Sequence, residues 1–408
     1  DQPRSRGLGD VYKRQAFSNI IADPSFLIMY ALAFVLLYLG IVKKYEPLLL
    51  VPIAFGVLLA NFPGGEMGVI QADSQGMVML ANGSKANIWE MPLHDIAHEF
   101  GLMNFLYYML IKTGFLPPVI FMGVGALTDF GPMLRNLRLS IFGAAAQFGI
   151  FAVLLVAILM GFTPQEAASL GIIGGADGPT AIFVANSLGS KYLGAIMVAA
   201  YSYMALVPIV QPPVIRLCTT QKERRIRMPY QKGSVSKTTK ILFPIVVTVL
   251  AGLVAPASVA LVGFLMFGNL LRECGVLNAL SETAQNVLAN LITIVLGLTV
   301  AGQMTADKFV RPDTLLILAL GLVAFVFDTA GGVLFAKLLN LFRPEGKKLN
   351  PMIGAAGISA FPMSGRVVNK MGLEEDNQNF LLMYSISVNV SGQIASVIAG
   401  GLILTLMA

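Results

Sequence analysis

The sequence predicts an all-α polytopic membrane protein, on three observations. Of its 408 residues 56% are hydrophobic and only 12% charged. Apolar runs of about 15 to 28 residues recur from end to end, the length a helix needs to cross a bilayer. Lys and Arg collect in short stretches between those runs, where they report topology. The reading is about ten transmembrane helices in two inverted repeats, each with one Gly/Pro-broken segment that is re-entrant or discontinuous.

Taken in order, residues 1–15 (DQPRSRGLGDVYKRQ) match nothing that follows and read as a non-native tail, outside the fold argument. The first repeat, 16–215, holds apolar spans at 25–42, 47–61, 103–128, 139–161 and 192–213. The second, 241–408, holds spans at 241–256, 257–272, 287–303, 313–340 and 380–407. Between them, 216–240 carries eight Lys or Arg against Glu223 alone, which marks it as a cytoplasmic linker. Residues 62–101, with Glu66, Asp73, Glu90, Asp95 and Glu99 against Lys85, are expected outside. These assignments agree if segments 165–187 and 350–366, both apolar but interrupted by Gly and Pro, enter the membrane as hairpins from opposite sides. Two broken but fully crossing helices are the alternative. Weak internal similarity keeps its order: Phe55-Gly56 with Phe267-Gly268, the glycines at 174 with those at 354, and Tyr201-Ser202 with Tyr384-Ser385. Inverted repeats with paired broken helices are a design of secondary transporters.

Several function classes lose support. Cys218 and Cys274 are too few for a disulfide framework and have no ligand spacing. The basic residues sit in loops, so nucleic acid is not expected as a partner. His94 and His98 stand four apart beside Glu99, but the zincin pattern needs a Glu directly after the first His, and Asp95 is there instead. Sodium is the expected metal, with no transition metal.

The chemistry points to Asp177, in Gly-Gly-Ala-Asp-Gly-Pro-Thr. An aspartate at membrane depth is costly and is normally kept for ion or proton handling. Glycine and proline prevent a closed helical hydrogen-bond ladder, so a carboxylate and bare carbonyls suit a small hard cation, sodium by analogy with other hard cations. The second broken segment supplies Asn350, Gly354, Ser359 and, at its end, Arg366, which could clamp an anion or snorkel. Tyr203 is a phenol beside prolines, able to relay a proton or ligate an ion, or simply to pack. Asp328 is a candidate second ion ligand, whereas Asp129 reads as a cap or turn residue. Asn389, Ser391 and Gln393 read as interhelical hydrogen-bonding groups.

Gly-Gly-Ala-Asp177-Gly-Pro-Thr, Ala-Tyr-Ser-Tyr203-Met-Ala-Leu-Val-Pro, Phe-Met-Gly-Val-Gly-Ala-Leu-Thr-Asp129-Phe-Gly-Pro and Asn350 through Arg366 together resemble the beta subunit of the sodium-pumping biotin-dependent decarboxylases. The resemblance implies a multi-pass subunit of the bacterial inner membrane. Such a subunit decarboxylates carboxybiotin, couples this to outward Na+ movement and consumes a proton. It implies functional roles for Asp177, Tyr203, Asn350, Gly354, Ser359 and Arg366, all present here. On this scheme Asp177, Asn350, Gly354, Ser359 and Asp328 bind sodium, Tyr203 or Ser359 passes the proton, and Arg366 holds the biotin carboxylate. The cofactor is Na+, with carboxybiotin brought by a partner and none bound covalently to this chain. Implied partners are a carboxyltransferase alpha subunit, a biotin carrier protein or domain, a small gamma or delta membrane subunit, membrane lipid and further copies of the chain. The choice among oxaloacetate, methylmalonyl-CoA, glutaconyl-CoA and malonate belongs to the transferase; the C-terminal span leans slightly toward the acyl-CoA type. The rival reading is a sodium-coupled secondary transporter of an organic anion, which needs a solute cavity but no biotin partner.

Overall fold

Backbone that finds no water must close its hydrogen bonds within its own segment, so long apolar stretches fold as helices. The computed structural model describes residues 24–407 apart from 45–46, 64, 66, 71, 73–75, 81 and 230–232; the tail 1–15 lies outside the described residues. Its principal helices are α1 (Ser25–Leu37), α2 (Pro47–Ala60), α3 (Leu93–Leu106), α4 (Leu116–Leu127), α5 (Phe148–Leu159), α6 (Pro164–Gly171) and α7 (Gly178–Ser187). They continue with α8 (Leu193–Cys218), α9 (Lys237–Val254), α10 (Val259–Glu273), α11 (Ala289–Ala301), α12 (Pro312–Leu341), α13 (Met363–Glu375) and α14 (Leu382–Met407). Two three-residue strands, Met77–Met79 and Lys85–Asn87, pair antiparallel with Val78 opposite Ala86.

Every predicted apolar span is found to be helical, but fewer reach crossing length. Among the described residues seven helices are long and apolar enough to cross a membrane, or eight if Leu93–Lys112 and Leu116–Leu127 form one span. The difference from ten lies partly at α2 and α10, which have 14 and 15 residues. At ~1.5 Å per residue these reach about 21–23 Å, short of a hydrocarbon core of about 30 Å. Hydropathy counts apolar residues whether or not they are helical. Here a turn at Pro256–Ser258 ends the ladder between α9 and α10 while the sequence stays apolar.

The chain forms two contact-dense units. The first comprises the described residues up to Thr113 together with Thr293–Leu315. Within it the fully buried Asn61 donates to the carbonyls of Val57 (2.9 Å) and Met304 (2.7 Å) and accepts from Ala306 N–H (2.8 Å), so one amide ends α2 and ties it to the chain after α11. The second unit, Gly114–Ile292 with Leu316–Ala408, contains both broken segments. Its core includes Phe142, Val207, Phe325, Val333, Met352, Ile353, Ile358 and Val388, drawn from the short helix Ile141–Ala145, α8, α12, α14 and the second broken segment.

In the second unit the basic segment after α8 is clamped to the chain around α13. Arg224 Nε lies 2.5 Å from Glu375, Arg227 makes two bonds to Asp376 (2.6 and 3.0 Å), and Arg216 reaches Glu374 at 3.5 Å. Arg224 holds the Glu375 carboxyl below the usual carboxylate range. A depressed pKa contributes stability above the unfolded value and loses it as pH falls through the folded one, so this pair is intact at neutral pH and lost only in acid. A double-mutant cycle on Arg224→Ala and Glu375→Ala, followed by thermal unfolding in detergent, is expected to give a coupling of about 1 kcal/mol, since both side chains are largely covered.

Candidate functional site

The first break starts where α6 ends. Its N-terminus is closed by a capping box between Thr163 and Glu166, and after Gly171 the chain tightens into a 3₁₀ turn, Ile172–Gly175. Ala176 then takes a left-handed conformation, φ 50°, which a residue with a Cβ adopts only at a cost of about 1 kcal/mol. That turn delivers Asp177 to the N-cap of α7, where Thr180 N–H donates to Oδ1 at 3.3 Å and Thr180 Oγ1 donates to Oδ2 at 2.7 Å. Asp-Gly-Pro-Thr is therefore a helix start with its cap and an early proline. The Tyr201 ring covers it: a Cβ on Gly178 would stand 2.3 Å from the ring, so only glycine fits.

The second break runs from Asn350 through a 3₁₀ turn, Pro351–Gly357, and an extended Ile358 to α13. The two breaks meet. Ser359 N–H donates to Gly175 O at 2.9 Å, and Ser359 Oγ donates to Asp177 Oδ2 at 3.1 Å. From α14, Ser396 Oγ donates to the same oxygen at 2.6 Å and Asn389 Nδ2 to Ile358 O at 2.8 Å. Gln147, just before α5, donates to Gly357 O at 3.3 Å. Three hydroxyls thus converge on Oδ2 of a carboxylate only 5% exposed, while Oδ1 receives Thr180 N–H alone among the described residues.

The surroundings are rich in oxygen. Gln147 Oε1, Asn389 Oδ1, Gln393 Oε1 and the Tyr201 hydroxyl are buried without a hydrogen-bond partner among the described residues. Gln147 Oε1 is beside the first break, 3.3 Å from where a Cβ on Gly175 would stand. A carboxylate oxygen with spare capacity among neutral amide and hydroxyl oxygens is the donor set a hard cation prefers.

The other expected site residues are placed as follows. Asn350 caps its own turn through Met352 N–H (3.1 Å) and spends both amide hydrogens on Arg224 O (2.8 Å) and Ile226 O (3.0 Å) of the basic segment. Gly354 packs backbone to backbone on Gly332 of α12. The Tyr203 hydroxyl donates to Leu318 O, and its ring lies against Gly321, so it is turned toward α12. Asp328, also on α12, is fully buried and accepts from the N–H groups of Gly149 and Ile150. Arg366 is exposed in the first turn of α13. Of the predicted set, then, Asp177 and Ser359 touch directly. Sequence reasoning missed Thr180, Ser396, Gln147 and Tyr201. A signal existed for two of them: Thr180 completes the capped helix start, and Ser396 continues the polar face of Asn389 and Gln393 at helical spacing.

A helical membrane protein with a buried carboxylate at the crossing of two broken segments belongs to the class that handles ions within the membrane. Residues 25–407 match the family described as Na+-transporting oxaloacetate decarboxylase beta subunit, and the chain belongs to that family. It is similar to the oxaloacetate decarboxylase beta chain of Klebsiella pneumoniae, 48% identical over 92% of this chain and 94% of that one. It is likewise similar to the methylmalonyl-CoA decarboxylase beta subunits of Propionigenium modestum, 49% identical over 97% and 98%, and of Veillonella parvula, 46% identical over 96% and 98%. The chain is thus the membrane subunit of a sodium-pumping decarboxylase, a multi-pass protein of the bacterial inner membrane.

Proposed function

We propose that the crossing of the two breaks is where this subunit binds sodium while it decarboxylates carboxybiotin. The observation that carries the reading is the convergence of Thr180, Ser359 and Ser396 on Asp177 beneath two non-helical turns. Asp177 supplies the charge through its less engaged oxygen, and Gln147 offers a neutral oxygen beside the first break. The hydroxyls hold the carboxylate in place and give a route for a proton, Ser359 being the one that belongs to both the break and the carboxylate. A cation arriving beside Asp177 lowers the proton affinity of groups around it, so sodium occupancy favours release of a proton from these hydroxyl and carboxyl groups toward the biotin nitrogen. Arg366, exposed on the helix leading out of the second break, is the cation for the biotin carboxylate. Tyr203 and Asn350 act on this scheme by holding α12 and the basic segment in place.

The halves 16–215 and 241–408 are inverted repeats joined by a cytoplasmic linker at 216–240; one break in each half and their meeting at one point support this. Carboxybiotin comes from an alpha subunit through a biotin carrier, and a small gamma or delta subunit and further copies of the chain complete the assembly. Relatives acting on oxaloacetate and on methylmalonyl-CoA match this chain about equally. That is expected where a separate transferase selects the acid. The test is radioactive sodium uptake into proteoliposomes of the complex, with free biotin measured in parallel. Uptake that requires carboxylated carrier is expected; sodium flux indifferent to it would overturn the reading in favour of a secondary transporter.

A further inference from the structure

Asp328 is a second buried carboxylate in the unit that contains the site, and its surroundings differ from those of Asp177. Gly149 and Ile150, whose N–H groups meet Oδ1, are the second and third residues of α5. One oxygen is therefore held at the N-terminal end of a helix, where free N–H groups and the helix dipole favour negative charge. The other oxygen, Oδ2, has no hydrogen-bond partner among the described residues although Asp328 is fully buried. It is aimed at the first break: a Cβ on Gly174 would stand 2.8 Å from it. Among the described residues no Lys, Arg or His forms an ion pair with Asp328.

The same contacts connect Asp328 to the second break. The residue just before α5, at its N-cap, is Gln147, whose amide donates to Gly357 O and whose free oxygen is beside Gly175. By gripping the start of α5, Asp328 sets where Gln147 stands between the two breaks. By leaving Oδ2 open against Gly174, three residues before Asp177, it keeps an unused carboxyl oxygen at the back of the first break.

We propose that Asp328 is a positioning residue that sets the sodium affinity of the Asp177 site from behind the first break, through its charge and its hold on α5. The proposal rests on sodium binding at Asp177. At an effective dielectric of about 20, a unit charge about 12 Å from a cation changes its affinity by about tenfold.

The test uses the assembled complex and the variant Asp328→Asn, which keeps the acceptor for Gly149 and Ile150 and the side-chain shape while removing the charge. Sodium concentration at half-maximal decarboxylation is expected to rise about tenfold, with maximal turnover changed less than about threefold. Sodium-dependent thermal stabilisation of the complex should shift its midpoint by the same factor. Asp328→Ser, which also keeps an acceptor, provides the same readout if the Asn variant does not assemble. An unchanged half-saturation, with turnover either kept or lost, would overturn the proposal, as would failure of both variants to assemble, which assigns a purely architectural role. Asp177→Asn is run alongside: if it keeps wild-type sodium saturation, sodium binding at Asp177 fails by itself, whatever Asp328 does.

Discussion

Asp177→Asn is expected to abolish sodium-dependent decarboxylation, lowering turnover at least a hundredfold while the complex still assembles. On the proposed site the substitution removes the charge that would neutralise the cation, and losses of about 10²–10³ are typical when one preorganised electrostatic contact to a reacting centre is deleted. It also places an amide where three hydroxyls now donate to one carboxylate oxygen, so at least one donor must turn away. Leaving a buried donor unsatisfied costs about 1–3 kcal/mol, enough to lower the melting temperature but not to prevent folding. Decarboxylation and sodium uptake on the same proteoliposomes check this. Full sodium-dependent turnover in the variant would end the assignment of the site to Asp177.

Gly354→Ala is expected to be the most damaging small substitution in the second break, for a reason of packing. A Cβ there would stand 2.0 Å from Gly332 O and 2.4 Å from Gly332 C, both backbone atoms of α12. Neither can rotate away, so α12 or the 3₁₀ turn has to move, and overpacking against backbone costs about 3 kcal/mol or more. The expected result is loss of monodisperse complex on size exclusion and a large drop in melting temperature in detergent. Any residual activity should keep the wild-type sodium half-saturation. A well-folded variant with weakened sodium saturation would instead make Gly354 part of the ion site. The reciprocal Gly332→Ala, which places a Cβ 2.1 Å from Gly354 O, should fail in the same way.

The two predictions separate what was legible in the sequence from what was not. The all-helical membrane fold, the position of every apolar span and the two breaks could be read directly. Hydropathy and the backbone limits of glycine and proline act within windows of one segment, and the helices and breaks formed where those local signals lie. Asp177 could be singled out for the same reason, since a carboxylate in an apolar run is anomalous whatever packs against it. The number of membrane-crossing helices was less legible, because apolar turns between α9 and α10 extend a hydropathy run without extending a helix.

What only the tertiary structure decided is which groups meet at that carboxylate. Ser359 and Ser396 stand 182 and 219 residues from Asp177 in the chain, and the helical spacing that puts Ser396 on one face with Asn389 and Gln393 does not say which carboxylate that face meets. Asn350 and Tyr203 have the right chemistry for a site, yet the first spends its amide on Arg224 and Ile226 and the second its hydroxyl on Leu318. A sequence states which donors and acceptors exist. Because each buried polar group must find a partner or leave a vacancy, and partners distant in sequence compete for it, only the folded chain determines how those donors and acceptors are shared.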